Sequence, residues 1–272
     1  VNDLAKMMVG RPSFGVARSA NGQHSQPVLR LQNIEMQDSS GLPVLKHISL
    51  TIHSGEIVGL AGVSGNGQAP LADLLAGTAR CHAGTISINS QDVTNAPPTR
   101  LMKAGLGRIP EDCRANVVGE MTVAQNMALE HLNDFVQGGR LNQKGIQKHA
   151  QDLIKTYQIK ANPDDKIRTL SGGNLQKVVL ARVLERKPSV LIVSQPTRGL
   201  DVGATEYVRS KLLEQCQQGA AILLISEDLD EILALADRII VIYEGEFMGE
   251  LNASEADVEH IGLLMSGVKE TA

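Results

Sequence analysis

The sequence predicts an α/β fold in which a mostly parallel sheet is covered by helices. Three observations carry that expectation. Residues 56–61, 189–194, 220–226 and 238–243 are short and almost continuously apolar, as strands buried on both faces are. Helical stretches fall between them, notably residues 175–185 and 204–217, and strand–helix alternation is the pattern of a parallel sheet. A glycine-rich turn follows the first of these strands and leads into a helical run at residues 71–76.

The elements follow in order. Residues 29–36 and 47–53 alternate apolar and polar side chains and read as strands joined through the turn Asp38-Ser39-Ser40-Gly41, which adds an antiparallel edge. From residue 122 to residue 166 the chain turns polar and helical without a strand signal, so a helical subdomain of about residues 115–170 is expected. Residues 245–251 read as a closing hairpin strand. The ends echo each other: Ile261-Gly-Leu-Leu-Met265-Ser-Gly267 matches Leu4-Ala-Lys-Met-Met8-Val-Gly10, each an apolar helix ending at a glycine. The expected organisation is a tail of a preceding similar unit at 1–10, a linker at 11–27, one domain at 28–267 and a short tail at 268–272.

Composition narrows the function. The chain has 272 residues, 42% hydrophobic and 21% charged, with a net charge of −4, which describes a globular protein. No apolar run approaches the roughly 18 residues of a membrane span. Aromatics are 2% of the chain and the balance is mildly acidic, so no nucleic-acid partner is expected. Cys81, Cys113 and Cys216 are far apart and odd in number, which fits a reducing compartment. His82 beside Cys81 reads as a turn. The seven histidines never cluster at ligand spacing, and no metal held by the protein alone is expected.

Two segments carry the chemistry. Gly62-Val63-Ser64-Gly65-Asn66-Gly67-Gln68-Ala69 sits between a strand and a helix, where a phosphate loop belongs: glycines let the backbone wrap an anion, and the helix start offers free N–H groups. The phosphate-loop pattern then requires Lys and Ser or Thr, and this chain has Gln68 and Ala69. Alone, the segment reads equally as an ordinary glycine-rich turn. Leu170-Ser171-Gly172-Gly173-Asn174-Leu175-Gln176-Lys177 opens a helix with a hydroxyl and bare amides, a second anion-binding device. A buried strand and Gln195-Pro196-Thr197-Arg198-Gly199-Leu200-Asp201 follow, and coincidence in this order is remote.

From these motifs the chain resembles the nucleotide-binding domain of ABC transporters over nearly all of residues 29–267. Leu170–Lys177 matches the signature motif, and Pro196–Asp201 the end of Walker B running into the D-loop; Gly107-Arg108-Ile109-Pro110-Glu111-Asp112 sits at the Q-loop. It resembles most the second half of tandem importer ATPases for simple sugars and nucleosides, through the loop 61–68 and the segment 225–232. Gln195 and the tail 261–267 lean toward the nucleoside branch.

The resemblance implies binding of ATP and Mg²⁺. Where the family holds phosphates, metal, water and the γ-phosphate, this chain has Gln68, Ala69, Ser194, Gln195 and Glu227, and Glu111 replaces the Q-loop glutamine. No aromatic stands between Met36 and Leu45 to stack on adenine. The own site is therefore expected to hydrolyse poorly or not at all, with weak binding through Gly62, Ser64, Gly65, Asn66, Gly67, Gln68 and Ala69. Leu170, Ser171, Gly172, Gly173, Asn174 and Asp201 are expected to complete the ATP site of a partner nucleotide-binding domain, the first half of the same polypeptide. Mg²⁺ would act mainly there.

Further expected partners are membrane permease subunits and, indirectly, an extracytoplasmic solute-binding protein, with the chain peripheral at the cytoplasmic face of the membrane. Residues 122–129 read either as part of the permease contact or as a helix packing on its own subdomain, and Lys144, Lys148 and Lys155 as a solvated helix face. The rival reading is a non-transport ABC protein acting as a nucleotide-gated binding module; the basic surface, long coiled coil or two competent sites it requires are not evident.

Overall fold

β1 (Pro27–Gln37) and β2 (Pro43–His53) pair antiparallel across the turn read from the sequence. Asp38 builds that turn: its carboxylate accepts the N–H groups of Ser40 (2.8 Å) and Leu42 (3.0 Å), an Asx turn that replaces ladder bonds. This computed structural model describes residues 26–268, so the expected opening helix, most of the linker and the last four residues lie outside the described residues. β3 (Ile57–Ala61) follows and runs into the glycine loop, and α1 (Gln68–Ala76) begins three residues before the helical run read from the sequence.

β4 (Ala83–Ile88) and β5 (Gln91–Asp92) were not foreseen; β4 pairs with β1 to give a four-stranded antiparallel sheet, β2-β1-β4-β5. The antiparallel region is therefore a layer of its own rather than only an edge. After the short α2 (Pro98–Lys103) comes β6 (Leu106–Ile109).

The helical subdomain opens at α3 (Val123–Ala128) with a capping box in which Thr122 Oγ1 accepts from Gln125 N–H (3.2 Å) and Gln125 Oε1 accepts from Thr122 N–H (2.9 Å), a reciprocal satisfaction of free donors. Val123, Ala124, Asn126, Met127 and Ala128 are all buried, which favours packing within the subdomain over an exposed contact face. A 3₁₀ stretch, Leu129–Phe135, leads to β7 (Val136–Gln137) and β8 (Arg140–Leu141). This hairpin corrects the expectation of a strand-free subdomain: Gly138 and Gly139 take φ of 56° and 77°, the left-handed pair a two-residue hairpin turn needs, and two-residue strands are too short to show alternation. α4 (Gln143–Thr156) buries Ile146, Ala150 and Leu153 at helical spacing and leaves Lys144, Lys148 and Lys155 exposed.

α5 (Gly172–Leu184), β9 (Val190–Ser194), α6 (Val202–Gln217), β10 (Ala221–Ser226), α7 (Leu229–Leu235), β11 (Arg238–Tyr243), β12 (Glu246–Asn252) and α8 (Val258–Met265) complete the chain. The large sheet has the order β12-β11-β3-β10-β9-β6, parallel except for β12. The central strands β3, β10 and β9 are apolar almost throughout because each face has its own cover. Leu191, Val193, Ile222 and Leu224 join the core with α5 and α6, while Val190, Ile192, Ala221, Leu223 and Ile225 join the core with α1 and the antiparallel sheet. Cys81, Cys113 and Cys216 are buried and form no disulfide. Among the described residues no helix is long and apolar enough to cross a membrane.

Candidate functional site

The parallel order brings the C-terminal ends of β3, β6, β9 and β10 to one rim, and a cavity of about 140 Å³ opens there. Such rims are where open α/β sheets bind ligands. Ser64, Gly65, Gln68 and Ala69 form its floor, Ala72 and Asp73 come from the next turn of α1, Arg108 and Glu111 from β6 and the segment after it, and Ser194, Gln195, Ile225, Ser226 and Glu227 from β9 and β10. The positions read from the sequence as the altered catalytic set thus share one pocket.

The loop is shaped by its backbone. Gly65 and Gly67 take φ of 90° and 117°, a region side chains with a Cβ avoid. A Cβ at Gly67 would stand 2.9 Å from Ile242 Cδ1 and 3.2 Å from Gly245 Cα, whereas one at Gly65 would meet nothing within 4 Å; the loop is open above Gly65. Asn66 ties it to the β11–β12 turn: Nδ2 donates to Val63 O (2.9 Å), Oδ1 accepts from Glu244 N–H (2.9 Å), and its carbonyl accepts from Gly245 N–H (2.8 Å). Its own N–H donates to Val63 O (3.3 Å), so side chain and backbone of Asn66 are both engaged with protein and hold the loop in shape. Gln68 Nε2 donates to Val63 O (3.1 Å), while Gln68 Oε1 and Ser194 Oγ are buried without a hydrogen-bond partner.

The opposite wall is cross-linked. Gln195 sits at φ 46°, and its Oε1 accepts from Glu227 N–H (3.4 Å). Glu111 pairs with Arg198. Behind the wall, the fully buried Glu231 accepts from Thr197 Oγ1 (2.7 Å) and Ser226 Oγ (2.8 Å), with Arg209 Nε 4.0 Å away. Cys113 donates to Gln176 Oε1 (2.7 Å), and Gln176 Nε2 donates to Pro196 O (3.0 Å). Burial pushes the Cys113 thiol up to about 11, helped by the nearby Asp112, so it stays a neutral donor at physiological pH. Glu231, Thr197, Gln176 and Arg108 lie inside the segments quoted from the sequence (225–232, 195–201, 170–177 and 107–112), but sequence reasoning gave none of them a role of its own, because their partners come from distant parts of the chain.

The signature residues lie elsewhere. None of Leu170, Ser171, Gly172, Gly173 or Asn174 lines the pocket. Leu170 is buried, while Ser171 and Gly172 are exposed at the start of α5. Ser171 makes no cap bond to its helix; its Oγ accepts from Asn174 Nδ2 (2.9 Å), and Asn174 Oδ1 accepts from Lys160 N–H (2.9 Å). Lys177 is drawn inward over the Tyr207 ring at 4.4 Å, and burial lowers its pKa. Asp201 caps α6, accepting from Ala204 N–H (2.8 Å).

The pocket fits a phosphate: an open glycine loop leads into the start of α1. It does not fit Mg²⁺, a hard cation that wants oxygen ligands and carboxylates. Position 69 has no hydroxyl and position 194 no carboxylate; of the three lining carboxylates, Glu111 pairs with Arg198 and Asp73 faces Arg108, which brings a positive charge to the same space, and Glu227 alone remains.

Solved structures share this fold. A nucleotide-free ATP-binding cassette from an ABC transporter superposes with a TM-score of 0.72 at 23% identity, covering 89% of this chain and 96% of that one. A dimeric, post-hydrolysis ATP-binding cassette bound to ADP and Pi gives 0.70 at 23% identity, covering 83% and 98%. The family model described as ABC transporter matches residues 45–198, and the chain belongs to that family. It is 41% identical over 271 residues to a glucose import ATP-binding protein of Haloferax volcanii, covering 97% of this chain and 49% of that protein. It is 39% identical to a nucleoside import ATP-binding protein of Lactococcus lactis subsp. cremoris (97% and 53%) and 39% identical to a guanosine import ATP-binding protein of Bacillus subtilis (98% and 53%). The chain spans about half the length of these curated relatives.

Proposed function

We propose that this chain is one ATP-binding half, the second, of a tandem ABC importer ATPase that couples ATP binding and hydrolysis to uptake of a small solute, a nucleoside or simple sugar. Its own pocket does not hydrolyse ATP, and its signature completes the ATP site of the partner half. In this reading the domain is residues 28–267, peripheral at the cytoplasmic face, acting on permease subunits served by a solute-binding protein. The relatives' names support the solute class, and the half-length match supports the tandem arrangement.

One observation carries the division: Ser171 and Gly172 of the intact signature are exposed and no signature residue lines the chain's own pocket, while that pocket has Gln68, Ala69, Ser194 and Gln195 in place of the groups hydrolysis needs. Gln195 orients a water but does not accept its proton as a carboxylate does, and Gln68 places no charge on phosphates. On the other face, Ser171 Oγ and the amides of Gly172 and Gly173 at the positive end of α5 present donors to an anion held by another chain. The dimeric cassette with the same fold supports such pairing.

The test is ATP turnover by this chain alone and then mixed with a first half bearing intact Walker motifs. The chain alone is expected to be inactive and the mixture active, with Ser171→Arg abolishing turnover and Gln68→Ala changing it little. Equal losses from both substitutions, or turnover by the chain alone, overturn the reading.

A further inference from the structure

We propose that the pocket of this chain binds the polyphosphate of a nucleotide without a divalent metal, with Arg108 supplying the positive charge that the phosphate loop has lost. The proposal rests on the reading of the pocket as a non-hydrolysing site and deepens it.

Four observations carry it. The loop offers what an anion needs from backbone: an open Gly65 and the start of α1, a nine-residue helix. Ser194, a residue of the pocket lining, has an Oγ buried without a partner, a hydroxyl able to donate to a phosphate oxygen. A buried hydroxyl without a partner calls for a ligand or water; Gln68 Oε1, also unpartnered, is an acceptor and adds nothing to the hold on a phosphate. Third, the oxygens that would hold a metal are reduced on this side: Ala69 supplies none, Ser194 only a neutral hydroxyl, and of the lining carboxylates Asp73 faces Arg108 and Glu111 faces Arg198, leaving Glu227. Fourth, the side of the pocket that has lost those groups holds a guanidinium.

Arg108 lies on β6 with its backbone paired to Ile192 of β9, so its place on the rim is fixed by the sheet. Its side chain lines the pocket with Ala69, Ala72 and Asp73. Its Nε is buried without a partner, and its Nη2 stands 3.5 Å from Asp73 Oδ1, long for a charge-assisted hydrogen bond. A planar fork that is always charged suits phosphate oxygens. A built-in cation of this kind neutralises phosphate charge where a metal would otherwise be required. The acids around it limit the effect: Asp73 competes for the guanidinium, Glu111 is occupied by Arg198, and Glu227 is the remaining carboxylate of the wall.

The experiment is equilibrium dialysis of radiolabelled ATP against the intact chain in EDTA, repeated with Mg²⁺. Saturable binding in EDTA is expected, changed less than about threefold by Mg²⁺, and displaced by tripolyphosphate because the phosphates carry the recognition. Arg108→Ala is expected to weaken binding about tenfold, the scale of one lost charge-assisted contact, and Arg108→Lys to restore part of it. Asp73→Asn, which keeps Arg108 and frees it, is expected to tighten binding severalfold, and this arm holds even if the alanine variant folds poorly. No saturable binding in EDTA, tightening of about threefold or more by Mg²⁺, failure of tripolyphosphate to compete, or wild-type affinity in Arg108→Ala and Asp73→Asn alike overturns the proposal. Its failure is separable from that of the division of labour, which is read by Ser171-dependent turnover with the partner half and not by binding to this chain alone.

Discussion

The pocket at the rim of the parallel sheet and the exposed start of α5 are built from the same parts: glycines, a hydroxyl side chain and the N-terminus of a helix. They differ in what surrounds them. The pocket is enclosed by side chains from four strand ends and cross-linked by Gln195 with Glu227 and Glu111 with Arg198. The signature stands open: Ser171 and Gly172 are exposed, and the Ser171 hydroxyl meets Asn174 Nδ2. An enclosed anion site works by its own walls, and changes in those walls alter its chemistry directly. An open one is half a site, useful only when another surface supplies the rest. On the proposed division of labour, the enclosed face carries the altered residues and the open face serves a partner.

That contrast can be broken most directly at Ser171. Ser171→Arg is expected to lower ATP turnover with the partner half by about two to three orders of magnitude, the scale of a lost transition-state donor, while the chain's own melting temperature stays within a few degrees. Unchanged turnover would mean that the open face is idle.

The next test asks whether the two regions are mechanically joined. Glu231 is 1% exposed and binds Thr197, just ahead of the segment leading to Asp201, and Ser226 at the pocket. Glu231→Ala leaves two hydroxyls and Arg209 without their shared acceptor, and chemical denaturation is expected to show a loss of about 2–4 kcal/mol. A loss below half a kcal/mol would show that the loops hold their places independently.

Smaller effects sharpen the account of the enclosed side. Asn66→Ala removes the tie between the phosphate loop and the β11–β12 turn and is expected to cost about 1–2 kcal/mol by the same measurement. The Cys113 thiol gives a pH signature. Its pKa is raised from 9.0 to about 11 on folding, so the folded state binds more protons between those values and stability falls as pH rises. The contribution is fully present below pH 9 and is lost between pH 9 and 11, with a magnitude of order 1 kcal/mol. Cys113→Ser is expected to flatten that part of the curve in urea titrations; an unchanged slope would assign the fall to another group.

Much of the fold is legible along the chain because double-sided burial leaves a local mark. The strands 57–61, 190–194, 221–226 and 238–243 are apolar whatever their partners are. β6 and β4 left no such mark. β6 is four residues long and carries Gly107 and Arg108, and it is a strand because it pairs with β9. β4 exists by pairing with β1, where a Cβ at Gly84 would stand 2.4 Å from Asn33 O. Both depend on contacts distant in sequence, which local propensity does not encode.

The site divides in the same way. The sequence by itself determined the chemistry of each loop: no cation at Gln68, no hydroxyl at Ala69, no carboxylate at Ser194, an intact Ser171-Gly172-Gly173. Side-chain chemistry is a property of the residue, and the motif order assigned each loop its place. Only the tertiary structure decided which groups share a space. Strand order β3-β10-β9-β6 sets Arg108 and Asp73, 35 residues apart, against the pocket that Gln68 opens. The same order keeps the signature out of it, because strand pairing and helix packing, which join residues far apart in the chain, fix where each loop comes to lie.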